Sequence, residues 1–499
     1  MARVIGAARE RATRSLLWTA LESGGISGLS VVALVVFGWT LTPAELGIGA
    51  LAFSVVQLMN LPVELLFHDA LIQRREVTLR HLNTAFTVSL VLGVSLSGLC
   101  WWAGDLLAAQ VGDPRVAPVL QWMSLTLPAM GMGSALVAWH QREFRFRILA
   151  LRSLVGRVGA FAVGVSLALL GAGVWALVAY QVLAVALAVA VLWVASAVRR
   201  PRLGLGRAEL RELSGYGLRV VGARGLEFAA LPLFMVYLGT ALGTEAAGYF
   251  SLAQRTVETL RAVISDAFAR LTVPLFARLQ DSTRMLRRAM RASAELICAA
   301  TFPLFVGLGA VAPYAVVVVF GERWQPAAPV MTALCLLAIL TQARLHALQV
   351  MMAIGRPHDA MLVRIAELLM LAAALLLLGP ASLAAAAGVW VGRVLLALPL
   401  DVWLLRRAIH MPALAQLRPL AMPLLLSVAM AGGVVALDAL LIPQAVPPAV
   451  RLLVMIGAGA VFYAAGLVLL RHPLVRHARA ALHLAAAQRG GGTRAVPAG

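Results

Sequence analysis

Apolar runs of about eighteen residues or more recur from one end of the 499-residue chain to the other, and nothing else restricts its fold so severely. Each run can cross a hydrocarbon core of about 30 Å as a helix rising about 1.5 Å per residue. A soluble chain of this length would carry far more charge than 13%, against 61% hydrophobic residues. The expected class is therefore an all-α polytopic membrane protein. We place about fourteen spans at roughly 16–38, 44–66, 82–104, 116–139, 153–171, 174–197, 213–240, 245–275, 292–320, 327–354, 360–378, 382–404, 418–442 and 448–470. The basic cluster Arg3 to Arg14 leads into a full-length span, which argues against a cleavable signal peptide.

The net charge of +20 does not indicate nucleic acid, because the arginines form short clusters between apolar spans rather than one patch. With the amino terminus in the cytoplasm, those clusters fall inside, and the outer segments carry Arg115, Arg323 and Arg451 alone. Basic residues bias a loop to the cytoplasm, so both termini are expected there. All 42 basic side chains are arginine. A chain without lysine has no Walker A loop, so an ion gradient, the membrane potential or a partner would supply energy. Cys100, Cys298 and Cys335 lie in apolar runs and read as packing residues, not as disulfide or metal ligands.

Gly47-xxx-Leu51-Ala52 recurs as Gly248-xxx-Leu252-Ala253, an offset of 201 residues, and each copy follows a turn, Leu41-Thr42-Pro43 or Leu242-Gly243-Thr244. Six spans separate the copies, so the halves share one orientation, as in a parallel repeat about the membrane normal. The expected organisation is a lobe of spans 1–6 over residues 1–200 and a lobe of spans 7–12 over 201–405, around a central cavity. Two extra carboxy-terminal spans follow over 406–475, then a disordered cytoplasmic tail over 476–499.

Ionisable groups inside the hydrocarbon cost about 2.5–3.5 kcal/mol each, so they usually face a cavity or a partner. They gather on two spans. Span 7 holds Arg219, Arg224 and Glu227 within an arc of about 140°, and span 8 holds Arg255, Glu258, Asp266 and Arg270 within about 120°. Arg261 points off that arc. Arg224 and Arg255 each lie about 15 Å along their helices, near the midplane, with Arg219 and Arg270 nearer the cytoplasm. Guanidinium forks match phosphate oxygens, so Arg219, Arg224, Arg255 and Arg261 are the candidate ligands of an anionic substrate. Pairing of Arg224 with Glu227 and of Arg255 with Glu258 is the structural alternative. Candidate coupling or pairing acids are Glu227, Glu258, Glu64 and Glu22, and Arg157 and Arg270 are secondary candidates. Arg344, Glu367 and Arg393 read as structural, and Asp438 as an outer-face residue without a role. No catalytic triad, HExxH motif or carboxylate dyad is present, so the chain does not read as an enzyme, and no cofactor is implied.

Several pieces, in order, resemble one family: Leu41-Thr42-Pro43 with Gly47, Ala70-Leu71-Ile72-Gln73-Arg74, Gln141-Arg142 with Phe146-Arg147, Gly171-Ala172-Gly173-Val174-Trp175, Gly248-Tyr249-Phe250-Ser251, Phe276-Ala277-Arg278-Leu279-Gln280 and Phe320-Gly321-Glu322-Arg323-Trp324. They look like the polysaccharide transporters, Wzx-type oligosaccharide flippases of the multidrug/oligosaccharidyl-lipid/polysaccharide exporter superfamily. The resemblance implies a two-lobed, alternating-access flippase for a polyprenyl-pyrophosphate-linked oligosaccharide, moved to the outer leaflet for lipopolysaccharide or exopolysaccharide synthesis. Polymerase and export machinery would be its partners. Two departures are Trp39, where the family often has arginine, and Leu231-Pro232-Leu233, where it often has an Asn/Asp pair. The rival readings are a cation-coupled multidrug exporter of the same fold, a flippase for the lipid-linked peptidoglycan precursor, and a membrane-embedded glycosyltransferase or ligase.

Overall fold

The computed structural model describes residue 25 and residues 28–196, 200–279, 282–441, 443 and 446–470, except the side chains of 223, 227, 266, 267, 269–275, 277, 278, 357 and 441. The described residues form helices and connecting turns and no strand. In chain order the helices are α1 (Gly28–Thr40), α2 (Pro43–Gln73), α3 (Leu79–Val111), α4 (Val116–Ser124), α5 (Thr126–Arg142), α6 (Phe146–Leu169) and α7 (Val174–Ala195). There follow α8 (Arg207–Arg278), α9 (Thr283–Phe320), a 3₁₀ turn (Glu322–Ala327), α10 (Ala328–Ala353), α11 (Pro357–Leu378), α12 (Leu383–Ile409), α13 (Ala413–Leu441) and α14 (Pro448–Leu469).

Among the described residues, 11 helical segments are long and apolar enough to cross a membrane. The difference from about fourteen expected spans has three local causes. The described part of α1 is too short. The expected fourth span is broken at Leu125 into α4 and α5, where Pro128 of the next helix can donate no backbone hydrogen bond. The expected seventh and eighth spans run together as α8, 72 residues long, interrupted at Gly243 with φ 87° and ψ 172°. A side chain would be strained at that φ, so glycine is what lets the chain turn between the two halves.

Two compact units emerge, the first drawn from residues 1–260, 319–330 and 364–393, the second from 261–318, 331–363 and 394–499. In the first unit, Thr42 caps α2. Its side chain accepts from the Glu45 backbone N–H at 3.3 Å, and the Glu45 carboxylate accepts from the Thr42 N–H at 2.9 Å. The two copies of the repeat meet at the neighbouring glycines. A Cβ on Gly47 would stand 1.7 Å from the Thr244 carbonyl oxygen, and one on Gly248 would stand 1.9 Å from the Pro43 carbonyl oxygen. Thr244 is the repeat equivalent of Pro43, so each copy touches the other in the same way. Bare backbone on both sides lets the two helix starts cross in direct contact, which is how small residues pack helices in lipid.

The end of α1 is tied to the 3₁₀ turn in the same unit. The buried Trp324 donates its indole N–H to the Gly38 carbonyl at 2.7 Å, Trp39 donates to Val319 O, and Arg323 donates to Trp39 O. Trp324→Phe puts a smaller ring into a fully buried site and orphans the Gly38 carbonyl. It is expected to cost about 2–3 kcal/mol, read as a lowered thermal transition of the purified protein.

At the start of α8, Glu212 accepts from Arg74 and contacts the His81 imidazole at 3.3 Å. Its carboxyl is held below the usual carboxylate range, first by the His81 contact and then by the Arg74 guanidinium. The lowered value means the tie is complete above the unfolded carboxylate range and is lost as pH falls through the folded value. Hydrogen exchange in the first turn of α8 is expected to quicken in that acid window, and Glu212→Gln to remove the pH dependence.

The second unit packs around Phe276, Leu286, Val350, Leu405 and Met411, and a smaller cluster joins α13 and α14 at Val434 and Met455.

Candidate functional site

The first unit contains a cavity of about 430 Å³. Its walls come from α1, α2, α4, α6, α7 and α8. Charged side chains on its wall are Arg157 of α6 and Arg255 and Glu258 of α8, and neutral polar groups come from Gln57, Tyr180 and Gln254. Both arginines are exposed to the cavity. The Arg255 guanidinium carbon lies 5.9 Å from the Phe53 ring centroid, within cation–π range. Arg157 and Tyr180 lie within electrostatic reach of it. Among the described residues, neither Arg157 nor Arg255 makes an ion pair.

A second cavity of about 280 Å³ shares Arg157 and Gln181 with the first and adds Glu64, His68 and Arg152. Asn60 donates its side-chain N–H to Glu64 at 2.9 Å and fixes that carboxylate one helical turn away. The two cavities thus form one polar tract that turns about Arg157.

Of the residues singled out in the sequence, Arg255, Glu258, Arg157 and Glu64 therefore stand on one tract. Arg224 does not line it. Its guanidinium lies 3.2 Å from the Asp69 carboxylate of α2, a partner from a different helix. Arg219 also lies off the lining, its Nε donating to the Gly215 carbonyl of its own helix at 3.0 Å. Arg261 falls in the second unit, off the cavity lining. Glu22, and the side chains of Glu227, Asp266 and Arg270, lie outside the described residues.

Sequence reasoning passed over the glutamines. Gln57, Gln181 and Gln254 each interrupt an apolar run, and an uncharged amide in hydrocarbon also needs partners. Leu231, at the position of the second departure from the family pattern, lines the cavity as an apolar residue. The buried charges elsewhere are internally paired. Arg344 meets Asp401 at 2.7 Å, and Glu367 meets Arg364 at 3.2 Å and Arg393 at 3.8 Å, with Arg393 stacked 3.5 Å over Trp390. Asp438 pairs with Arg451 and accepts from the Tyr314 hydroxyl at 2.9 Å.

An unpaired cationic pocket with amide and phenol hydrogen-bonding groups can hold an anion that also carries hydroxyls. The two guanidiniums supply charge-assisted donors for phosphate, and the amides suit sugar hydroxyls.

A family profile described as a polysaccharide biosynthesis protein matches residues 40–329, the stretch that contains this tract. The succinoglycan biosynthesis transport protein ExoT of Rhizobium meliloti (strain 1021) is 26% identical over 65% of this chain and 65% of its own length, just under two thirds. The lipopolysaccharide biosynthesis protein WzxC of Escherichia coli (strain K12) is 23% identical over 66% of this chain and 68% of its own. Among solved structures, the lipid II flippase MurJ in an inward closed conformation matches with a TM-score of 0.74 at 11% identity, covering 92% of this chain and 100% of its own. A multidrug resistance MATE transporter in an inward-facing conformation matches with a TM-score of 0.57 at 15% identity, over 77% of this chain and 94% of its own. At these identities the structures show the fold alone.

Proposed function

The chain belongs to the polysaccharide biosynthesis protein family, and from that premise we propose that it is a flippase for a polyprenyl-pyrophosphate-linked oligosaccharide. The observation that carries this reading is the unpaired pair Arg157 and Arg255 on one cavity wall. A cation-coupled drug exporter would need a cavity rich in acids, whereas among the described residues two arginines and one glutamate line the first cavity. The names of the relatives, a succinoglycan transport protein and a lipopolysaccharide biosynthesis protein, support a glycan cargo over a peptidoglycan precursor.

In this reading the diphosphate enters from the cytoplasmic leaflet and docks on Arg255 and Arg157. The sugars fill the polar tract toward Gln181 and Glu64, and the polyprenyl tail stays in lipid. Only the polar head then needs shelter, and alternating exposure of the cavity delivers it to the outer leaflet. The protein resides in the bacterial inner membrane with both termini cytoplasmic, makes no covalent change to its cargo, and hands it to the polymerase and export machinery. Glu258 and Glu64 are the acids placed to exchange protons as the cargo leaves.

The test is translocation of a fluorescent undecaprenyl-pyrophosphate oligosaccharide in proteoliposomes, read by accessibility to an external quencher. Transport of that lipid, and none of a cationic dye, is the expected result. Export of the dye alone by folded protein would move the assignment to the drug exporters. Sugar transfer without translocation would move it to the glycosyltransferases.

A further inference from the structure

We propose that the cytoplasmic start of α9 is a binding site for the headgroup of an anionic phospholipid. A cavity of about 440 Å³ in the second unit is lined, among the described residues, by Thr283, Arg284, Arg287, Arg288 and Arg291. At about 100° per residue the four arginines occupy an arc of about 100°, in a stripe about 10 Å long.

The opposite face of the same two turns is apolar and buried. Leu286 is 1% exposed and Met290 is 6% exposed, both in the core with Leu405, Ile409 and Met411. That packing fixes the rotation of the helix, so the arginine stripe cannot turn inward. Arg287 anchors the stripe further by donating its Nε to the Ile409 carbonyl at 2.6 Å. Arg284, Arg288 and Arg291 remain exposed, and among the described residues none of them makes an ion pair. Like charges spaced three and four apart on a helix repel, so the stripe gains most from an anion that bridges them.

The position of the stripe selects the anion. α9 continues directly into an apolar span with a mean hydropathy of 2.1. The arginines therefore stand one or two turns before the hydrocarbon begins, at the depth of phospholipid phosphates, on the side that the arginine bias makes cytoplasmic. A phosphodiester on a glycerol headgroup fits a cavity of this size. A soluble phosphate would gain nothing from the adjoining apolar span.

The site is independent of the transport cavity, so its test does not depend on the cargo. The purified full chain in neutral detergent is titrated with dioleoylphosphatidylglycerol, dioleoylphosphatidylcholine and inorganic pyrophosphate, and occupancy is read by native mass spectrometry. The expected result is a saturable preference for the anionic lipid. The triple variant Arg284→Gln, Arg288→Gln, Arg291→Gln should weaken that binding about a hundredfold. A charge-matched control, Arg75→Gln, Arg80→Gln, Arg145→Gln in the first unit, should retain it. Equal affinity of the wild type for the two lipids would overturn the proposal. So would equal loss in the control, which would make the effect one of overall charge. Pyrophosphate binding without any lipid preference would assign the pocket to a soluble phosphate and would overturn it as well. Elution of the triple variant as a monodisperse peak at the wild-type volume shows that it is folded.

Discussion

Arg255→Ala is expected to lower translocation of the lipid-linked oligosaccharide about a hundredfold while leaving the yield of folded protein unchanged. The guanidinium is exposed to the cavity and makes no ion pair among the described residues, so its removal breaks no internal bridge. On the proposed function its contribution would fall on the cargo, through charge-assisted hydrogen bonds to phosphate. Arg255→Lys keeps the charge and loses the fork, and should fall between wild type and alanine. Arg224→Ala provides the contrast. That side chain pairs with Asp69 off the cavity lining, so its loss should slow transport only a few-fold, about 1 kcal/mol. Initial rates in proteoliposomes, normalised to reconstituted protein, decide the order. A more damaging Arg224→Ala would place the phosphate site at the Asp69 ion pair instead.

Gly47→Val is expected to destabilise the fold by about 3 kcal/mol or more. The added Cβ would sit 1.7 Å from a backbone oxygen, and no side-chain rotation can relieve a clash with main chain. The start of α2 and the second half of α8 must instead move apart. That separation loosens Leu46, Ile48, Leu51, Phe250 and Leu252, all within 2% of complete burial. Gly248→Val should behave alike, because its Cβ meets the Pro43 carbonyl oxygen at 1.9 Å. Gly98→Ala on α3 is the control, since nothing lies within 4 Å of its Cβ. There the change removes backbone freedom from a helix interior, and stability should be unchanged or rise by up to about 1 kcal/mol. The fraction of monodisperse protein after a heating series separates the two outcomes. Equal behaviour of Gly47→Val and Gly98→Ala would mean that the helix crossing tolerates a side chain.

The helices were legible because lipid permits so few alternatives. Among the described residues the expected apolar runs fall on helices, and the bounds of α7, α10 and α14 differ from the runs by one or two residues. The breaks were harder to read. Gly243 looked like an ordinary turn, and only its φ reveals that helix resumes at once on both sides. Leu125 carries no turn signal at all.

The site was half legible. Helical periodicity placed Arg255 and Glu258 together because both lie on one helix, within a turn of each other. It named Arg157 only as a secondary candidate and did not bring it to Arg255, because that proximity depends on how α6 packs. Arg224 shows the same limit. Local spacing offered Glu227 as a partner, whereas tertiary structure brings Asp69 from 155 positions earlier in the chain.

The glycine crossing has an evolutionary consequence. When one residue touches a second, and the equivalent of the second touches the equivalent of the first, the contact has the form of a twofold interface. A half-length ancestor carrying a single copy of Gly47-xxx-Leu51-Ala52 would already possess both faces of it, and two such chains would associate through their own surfaces. Duplication and fusion of such a chain would turn a bimolecular interface into an intramolecular one and free each copy to acquire its own charges. Both copies carry the glycine that lets them touch.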